Sequence, residues 1–125
     1  MTLTVGLSAG GTRLTVTLLD GQAGLRLRGE VDMLSADALR QAIEALPADV
    51  GEVHLELAEL TFIDVGGTRE LLALARRPAR PRLILHQPPC GLLRLIHLLW
   101  PSCSQAPVPS NDGAGQGATV SISSA

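Results

Sequence analysis

Few residues of this chain are placed to do chemistry, and most of them sit in one run, Leu60-Thr61-Phe62-Ile63-Asp64-Val65-Gly66-Gly67-Thr68. A strand that turns through two glycines into a helix leaves backbone N–H groups free at the helix start. Those groups favour an anion, and the glycines let another group approach the backbone. Asp64 carries the wrong charge to share that place with a bare phosphate. The plainer reading is that its carboxylate caps the helix while the glycines serve a tight turn. Glu30 and Asp32, two residues apart, are a carboxylate pair of the kind an acid–base enzyme uses, although a solvated loop uses the same residues. His54, His86 and His97 lack metal-ligand spacing, and Cys90 alone is near one of them, so neither a metal nor a cofactor is expected. All ten basic residues are Arg, which removes lysine Schiff bases, lysine general bases and the phosphate-binding lysine of nucleotide loops. With no nucleophile–base constellation, the expectation is a protein that binds and does not catalyse.

The elements that position these residues follow from periodicity. Residues 13–19 alternate and are rich in β-branched side chains, Asp20-Gly21 marks a hairpin, and residues 24–31 put Leu25 and Leu27 opposite Arg26 and Arg28. The two segments are expected to pair antiparallel with one wet face. Ser35 reads as the N-cap of a helix with Asp37 in its first turn, Leu39, Ala42, Ile43 and Leu46 as its inner stripe, and Pro47 as its end. Residues 53–57 alternate as a strand, and residues 60–65 run on as a buried loop or short strand. A helix is expected from about Gly66-Gly67 to Arg77, with Leu71, Leu74 and Ala75 inward and Arg76 and Arg77 complementing its negative end. Residues 82–86 form a short strand. Pro88-Pro89 opens a last helix through Leu99, with Trp100 at its end as a candidate interface residue. The Arg-rich stretch 76–82 reads as a helix end and a solvated turn. The order β-β-α-β-α-β-α is that of an α/β sheet of mixed strand direction with helices mainly on one face. Residues 1–11 are expected to be an N-terminal leader and 12–100 the domain. Residues 101–125 carry few large apolar groups and are expected to be a disordered Ser/Gly/Pro-rich tail.

Composition bounds the rest. At 125 residues and 46% hydrophobic, the chain suits one domain with its own core. A net charge of −2 and only 2% aromatic residues argue against nucleic acid, which calls for a basic face or stacking platforms. Cys90 and Cys103 read as free thiols of a reducing cytoplasm. The first residues lack the basic region of a signal peptide, and the longest apolar run, Leu92 to Trp100, is interrupted by Arg94 and His97, so no membrane insertion is expected.

Four segments taken together, Gly29-Glu30-Val31-Asp32, Ser35-Ala36-Asp37-Ala38-Leu39, His54-Leu55-Glu56-Leu57 and Leu60-Thr61-Phe62-Ile63-Asp64, resemble the STAS domain. More narrowly they are similar to the bacterial anti-sigma factor antagonists, over roughly residues 12–100. That family shows a G-E-hydrophobic-D turn after its second strand, and later a strand ending F-I-D-S-S-G at a helix head. The resemblance implies a STAS-like mixed sheet and a non-catalytic regulator that works by partner switching. In such a cycle the unphosphorylated antagonist docks on an anti-sigma factor that is also a GHKL-type serine kinase, and the sigma factor is freed. Phosphorylation of a Ser in the D-S-S-G turn then breaks the complex. The partner-binding residues implied here are Glu30, Asp32, Ser35, Asp64, Val65, Gly66, Gly67 and Thr68. Aligned on Asp64 and Gly67, the acceptor Ser falls on Val65, which has no hydroxyl, and the second Ser falls on Gly66. Thr68 is the nearby hydroxyl that would serve as a displaced phosphoacceptor. The alternative is a STAS subunit associated with a transporter, or one binding a small ligand or lipid. Oligomeric state stays open.

Overall fold

A computed structural model describes residues 2–6, 13–107 and 119–123. Its strands are β1 (Thr2–Gly6), β2 (Arg13–Leu18), β3 (Gly24–Val31), β4 (Glu52–Ile63), β5 (Arg82–His86), β6 (Ser104–Pro107) and β7 (Thr119–Ser123). Its helices are α1 (Ala36–Glu44), α2 (Val65–Ala75) and α3 (Cys90–Leu99). The strands form one sheet in the order β1-β2-β3-β4-β5-β7-β6. The centre, β3-β4-β5, is parallel, and the pairs on either side of it are antiparallel. The architecture is therefore the mixed α/β sheet expected from the sequence.

One face of the sheet carries Leu14, Val16, Leu25, Leu27, Leu55, Leu57, Leu83 and Leu85, all buried in a single core with Leu39, Ala42 and Ile43 of α1, Leu71 and Leu74 of α2, and Leu92 and Ile96 of α3. The other face of β3 and β4 is wet. Arg26 pairs with Glu56 at 2.8 Å and Arg28 with Glu59 at 3.2 Å across those strands, exposed pairs that each contribute less than about 1 kcal/mol.

The end of β4 departs from simple alternation. Between Arg26 and Arg28 the partner strand advances from Glu56 to Glu59, and between Gly29 and Glu30 it advances from Leu60 to Phe62. Each step inserts one extra residue, a β-bulge. Buried positions therefore pass from Val53, Leu55 and Leu57 to Leu60 and Ile63. A period of two becomes a period of three, which is why residues 60–65 read as a loop or short strand when residues 60–63 continue β4 and Val65 already begins α2. Gly29 sits at the second slip with φ +106°, a backbone that L side chains rarely adopt.

Several sequence expectations are corrected. Ser35 precedes α1 but makes no capping bond to it. Its buried hydroxyl instead accepts from the Asp32 N–H at 3.0 Å and donates to the Glu30 carbonyl at 3.2 Å, closing the turn before the helix. Arg77 does not serve its own helix. Its guanidinium donates to the carbonyls of Ile43, Leu46 and Pro47 and so caps the end of α1. Arg76 lies over the Trp100 ring, 4.8 Å from its centroid.

The expected leader contributes β1, paired along β2, and the expected disordered tail contributes β6 and β7. Thr119-Val120-Ser121-Ile122-Ser123 alternates as a strand should, and it covers the edge that β5 would otherwise leave open. Ile122 is fully buried opposite Leu83. The leader expectation for residues 7–11 and the tail expectation for residues 108–118 lie outside the described residues.

Candidate functional site

The run that dominates the sequence reading lies where β4 passes into α2. Asp64 is the N-cap, with extended backbone, and its Oδ1 accepts the Gly67 N–H at 2.8 Å. Its own N–H donates to the Val31 carbonyl at 3.0 Å, tying the helix start to the end of β3. The anion position at the head of α2 is thus filled by the chain's own carboxylate, as the capping reading expects.

The two glycines do different things. Gly66 is exposed, and a Cβ there would meet nothing nearer than Asp64 Oδ1 at 3.5 Å. Gly67 is buried, and a Cβ there would stand 2.5 Å from Val31 Cγ1 and 2.9 Å from Ile63 Cγ1. The close approach at Gly67 is to the chain's own core, not to a partner. Thr68 is also removed from the surface. It is 0% exposed, and its hydroxyl and its N–H both donate to the Asp64 carbonyl at 2.9 Å. A kinase cannot reach that hydroxyl without unwinding the first turn of α2, so the displaced-acceptor expectation does not fit the folded chain.

What remains at the surface is apolar. Val65, the first residue of α2, is 41% exposed. Met33 is 84% exposed and Leu34 is exposed beside it, on the turn that follows β3. The Leu34 N–H bonds to Asp32 Oδ1 at 2.9 Å, an Asx turn that holds both side chains outward. Phe62, turned out by the second bulge of β4, is 49% exposed. β3 and β4 run parallel, with Glu30 beside Phe62 and Val31 beside Ile63, so the turn after β3 and the head of α2 share one end of the sheet. The structure brings Glu30, Asp32, Ser35 and the 64–68 run together there. Asp32 and Ser35 shape the turn, Gly67 and Thr68 pack inward, and Val65, Gly66, Met33, Leu34 and Phe62 present the surface. The sequence reading did not single out Met33, Leu34 or an exposed Phe62. An apolar pair in an Asp-initiated turn is the signal that points to the first two.

Away from this end, His54 and His86 stack with ring centroids 5.2 Å apart and His54 Nδ1 lies 3.0 Å from His86 Nε2. Burial, and then the neighbouring His54, lower the His86 pKa from its ordinary 6.5, with Glu56 opposing them. Among the described residues no group of three His, Cys, Asp or Glu side chains is arranged to hold a metal ion. No helix among them is long and apolar enough to cross a membrane. Cys90 and Cys103 are free thiols.

The family model described as "Mlab, STAS domain" matches residues 14–99. The crystal structure of an anti-sigma factor antagonist from Mycobacterium paratuberculosis is similar at 28% identity with a TM-score of 0.55, over 74% of this chain and 82% of that one. A search of curated proteins finds no match.

Proposed function

The chain belongs to the STAS-domain family, and from that premise we propose that it is a non-catalytic antagonist that docks on an anti-sigma factor through the end of the sheet where β3 and β4 finish. The observation that carries this reading is the exposed apolar group of Met33, Leu34, Val65 and Phe62 around a capped helix start. Clustered apolar surface of that kind, rimmed by carboxylates, marks a protein-binding face. The similarity to a solved anti-sigma factor antagonist supports the class of partner. On this reading the partner is a GHKL-type serine kinase and the setting is cytoplasmic.

The departure from the family pattern sets the mode of action. Val65 has no hydroxyl, and the hydroxyls of Thr68 and Ser35 are buried and bonded. We infer that the complex forms without the usual phosphate switch, as a constitutive antagonist or a decoy. The substitution Val65→Asp puts a charge on the docking face without entering the core. It is expected to weaken binding to the cognate anti-sigma factor by at least tenfold in a calorimetric titration. Undiminished binding would place residue 65 outside the interface and remove the core of the proposal.

A second reading, a STAS subunit associated with a transporter or binding a small ligand or lipid, draws on a different feature. An apolar groove of about 460 Å3 lies between the end of β4 and α3. Co-purification with an ATPase or permease subunit, with no affinity for the kinase, would favour it over the first.

A further inference from the structure

The groove beside α3 has a lining too selective for a packing gap. Phe62, Ile63, Leu92, Leu95 and Leu98 supply its apolar walls, and Arg94 is its one charged side chain. Phe62 and Leu98 stay largely exposed because nothing in the described chain covers them. Among the described residues Arg94 has no carboxylate partner, a condition it shares with Arg69, Arg76 and Arg77, but of these four only Arg94 lines this apolar groove. Exposed hydrocarbon and an unneutralised guanidinium at one place specify a ligand with an apolar body and an acidic head. The volume falls within the range of small-molecule sites, about 300–1,000 Å3. Ten residues line the groove, well below the roughly 20–30 a side of a standard protein interface.

We propose that this groove binds a single-chain anionic amphiphile, its acyl chain laid against Phe62, Ile63, Leu92, Leu95 and Leu98 and its acidic head group paired with Arg94. The proposal deepens the ligand-binding alternative above. The groove shares Phe62 with the docking face, but the variants that test it lie on α3 and leave residues 62 and 65 untouched, so the two readings fail separately. Gly91 gives a clean way to test it. It lines the groove, and a Cβ added there meets nothing within 4 Å, so a larger side chain can be placed at the groove wall without displacing backbone.

The experiment is a calorimetric titration of the full chain with laurate below its micelle concentration. The expected result is saturable one-to-one binding. Arg94→Glu and the replacement of laurate by uncharged dodecanol should each weaken it at least tenfold, and Gly91→Leu should abolish it. Unchanged thermal midpoints for both variants would show that they fold. Absence of laurate binding, equal affinity for dodecanol, or binding that survives Gly91→Leu would overturn the proposal. A parallel sedimentation with phosphatidylglycerol vesicles separates the sources. Vesicle binding with no response to free laurate would mean a membrane-facing surface and would also overturn it. Failure here with anti-sigma binding intact would leave the docking reading standing, and failure with transporter co-purification intact would leave that association standing.

Discussion

Replacing Gly67 by Ala separates internal packing from partner contact at the head of α2. The added Cβ would stand 2.5 Å from Val31 Cγ1, 2.9 Å from Ile63 Cγ1 and 3.2 Å from Val31 Cβ. Both neighbours are β-branched strand residues with stiff side chains, so relief requires α2 to move away from β3. Overpacking of this kind costs about 1–3 kcal/mol. Ala offsets at most about 1 kcal/mol through its better helix propensity, and less in a first turn. The net expectation is a loss of about 1–2 kcal/mol, a fall in melting temperature of roughly 4–10 °C for a domain of this size. The control is Gly66→Ala, where the new Cβ makes only an ordinary 3.5 Å contact with Asp64 Oδ1. It should be neutral or stabilise by about 0.4–1 kcal/mol. Urea unfolding of the two variants beside the parent chain measures both values. If Gly67→Ala were as stable as Gly66→Ala, the seating of α2 on Val31 would be refuted, and the glycine would have to be explained by something outside the chain.

Other expectations follow from the same geometry. Asp64→Ala removes the cap on the Gly67 N–H and should cost about 1 kcal/mol in urea unfolding. Ile122→Ala, in a fully buried position of β7, should cost about 2–5 kcal/mol, and deletion of residues 104–125 should lower the melting temperature clearly; an unchanged midpoint would restore the tail to disorder. His86, whose pKa burial lowers in the folded chain, resists protonation that the unfolded chain accepts near its ordinary 6.5. Its contribution is therefore complete above that pH and is lost as pH falls through it towards the lower folded value. Stability measured between pH 7.5 and 5.5 should fall, and His86→Gln should flatten that slope.

Sequence reading succeeded where a single local rule governs. The inward stripes of α1 and α2, the β2–β3 hairpin and the Asp64 cap each follow from spacing or from one side chain beside a helix start. It failed where long-range pairing decides. Residues 119–123 have a composition too small and polar to suggest order, yet β5 offers them an edge far back in the sequence, with Ile122 opposite Leu83, 39 positions earlier. The bulges in β4 are set by its pairing with β3, so the outward turn of Phe62 was not visible in Leu60-Thr61-Phe62-Ile63 itself. Ser35 and Arg77 were assigned to the nearest helix end, and each bonds elsewhere: Ser35 within its own turn, Arg77 across to α1. At the candidate site, Asp64 and Val65 were legible from the motif. The inward packing of Gly67 and Thr68 was not, because only the approach of α2 to Val31 reveals it.

On the proposed reading this chain docks without a phosphate switch. Its most direct test is to mix the pure protein with the GHKL-type anti-sigma kinase encoded nearest to it, with and without ATP, and to read complex formation and intact mass together. The expected result is a complex of equal stability in both conditions and no phosphate added to the chain. A complex that ATP dissolves as phosphate appears on this chain, or no complex in either condition, would contradict it.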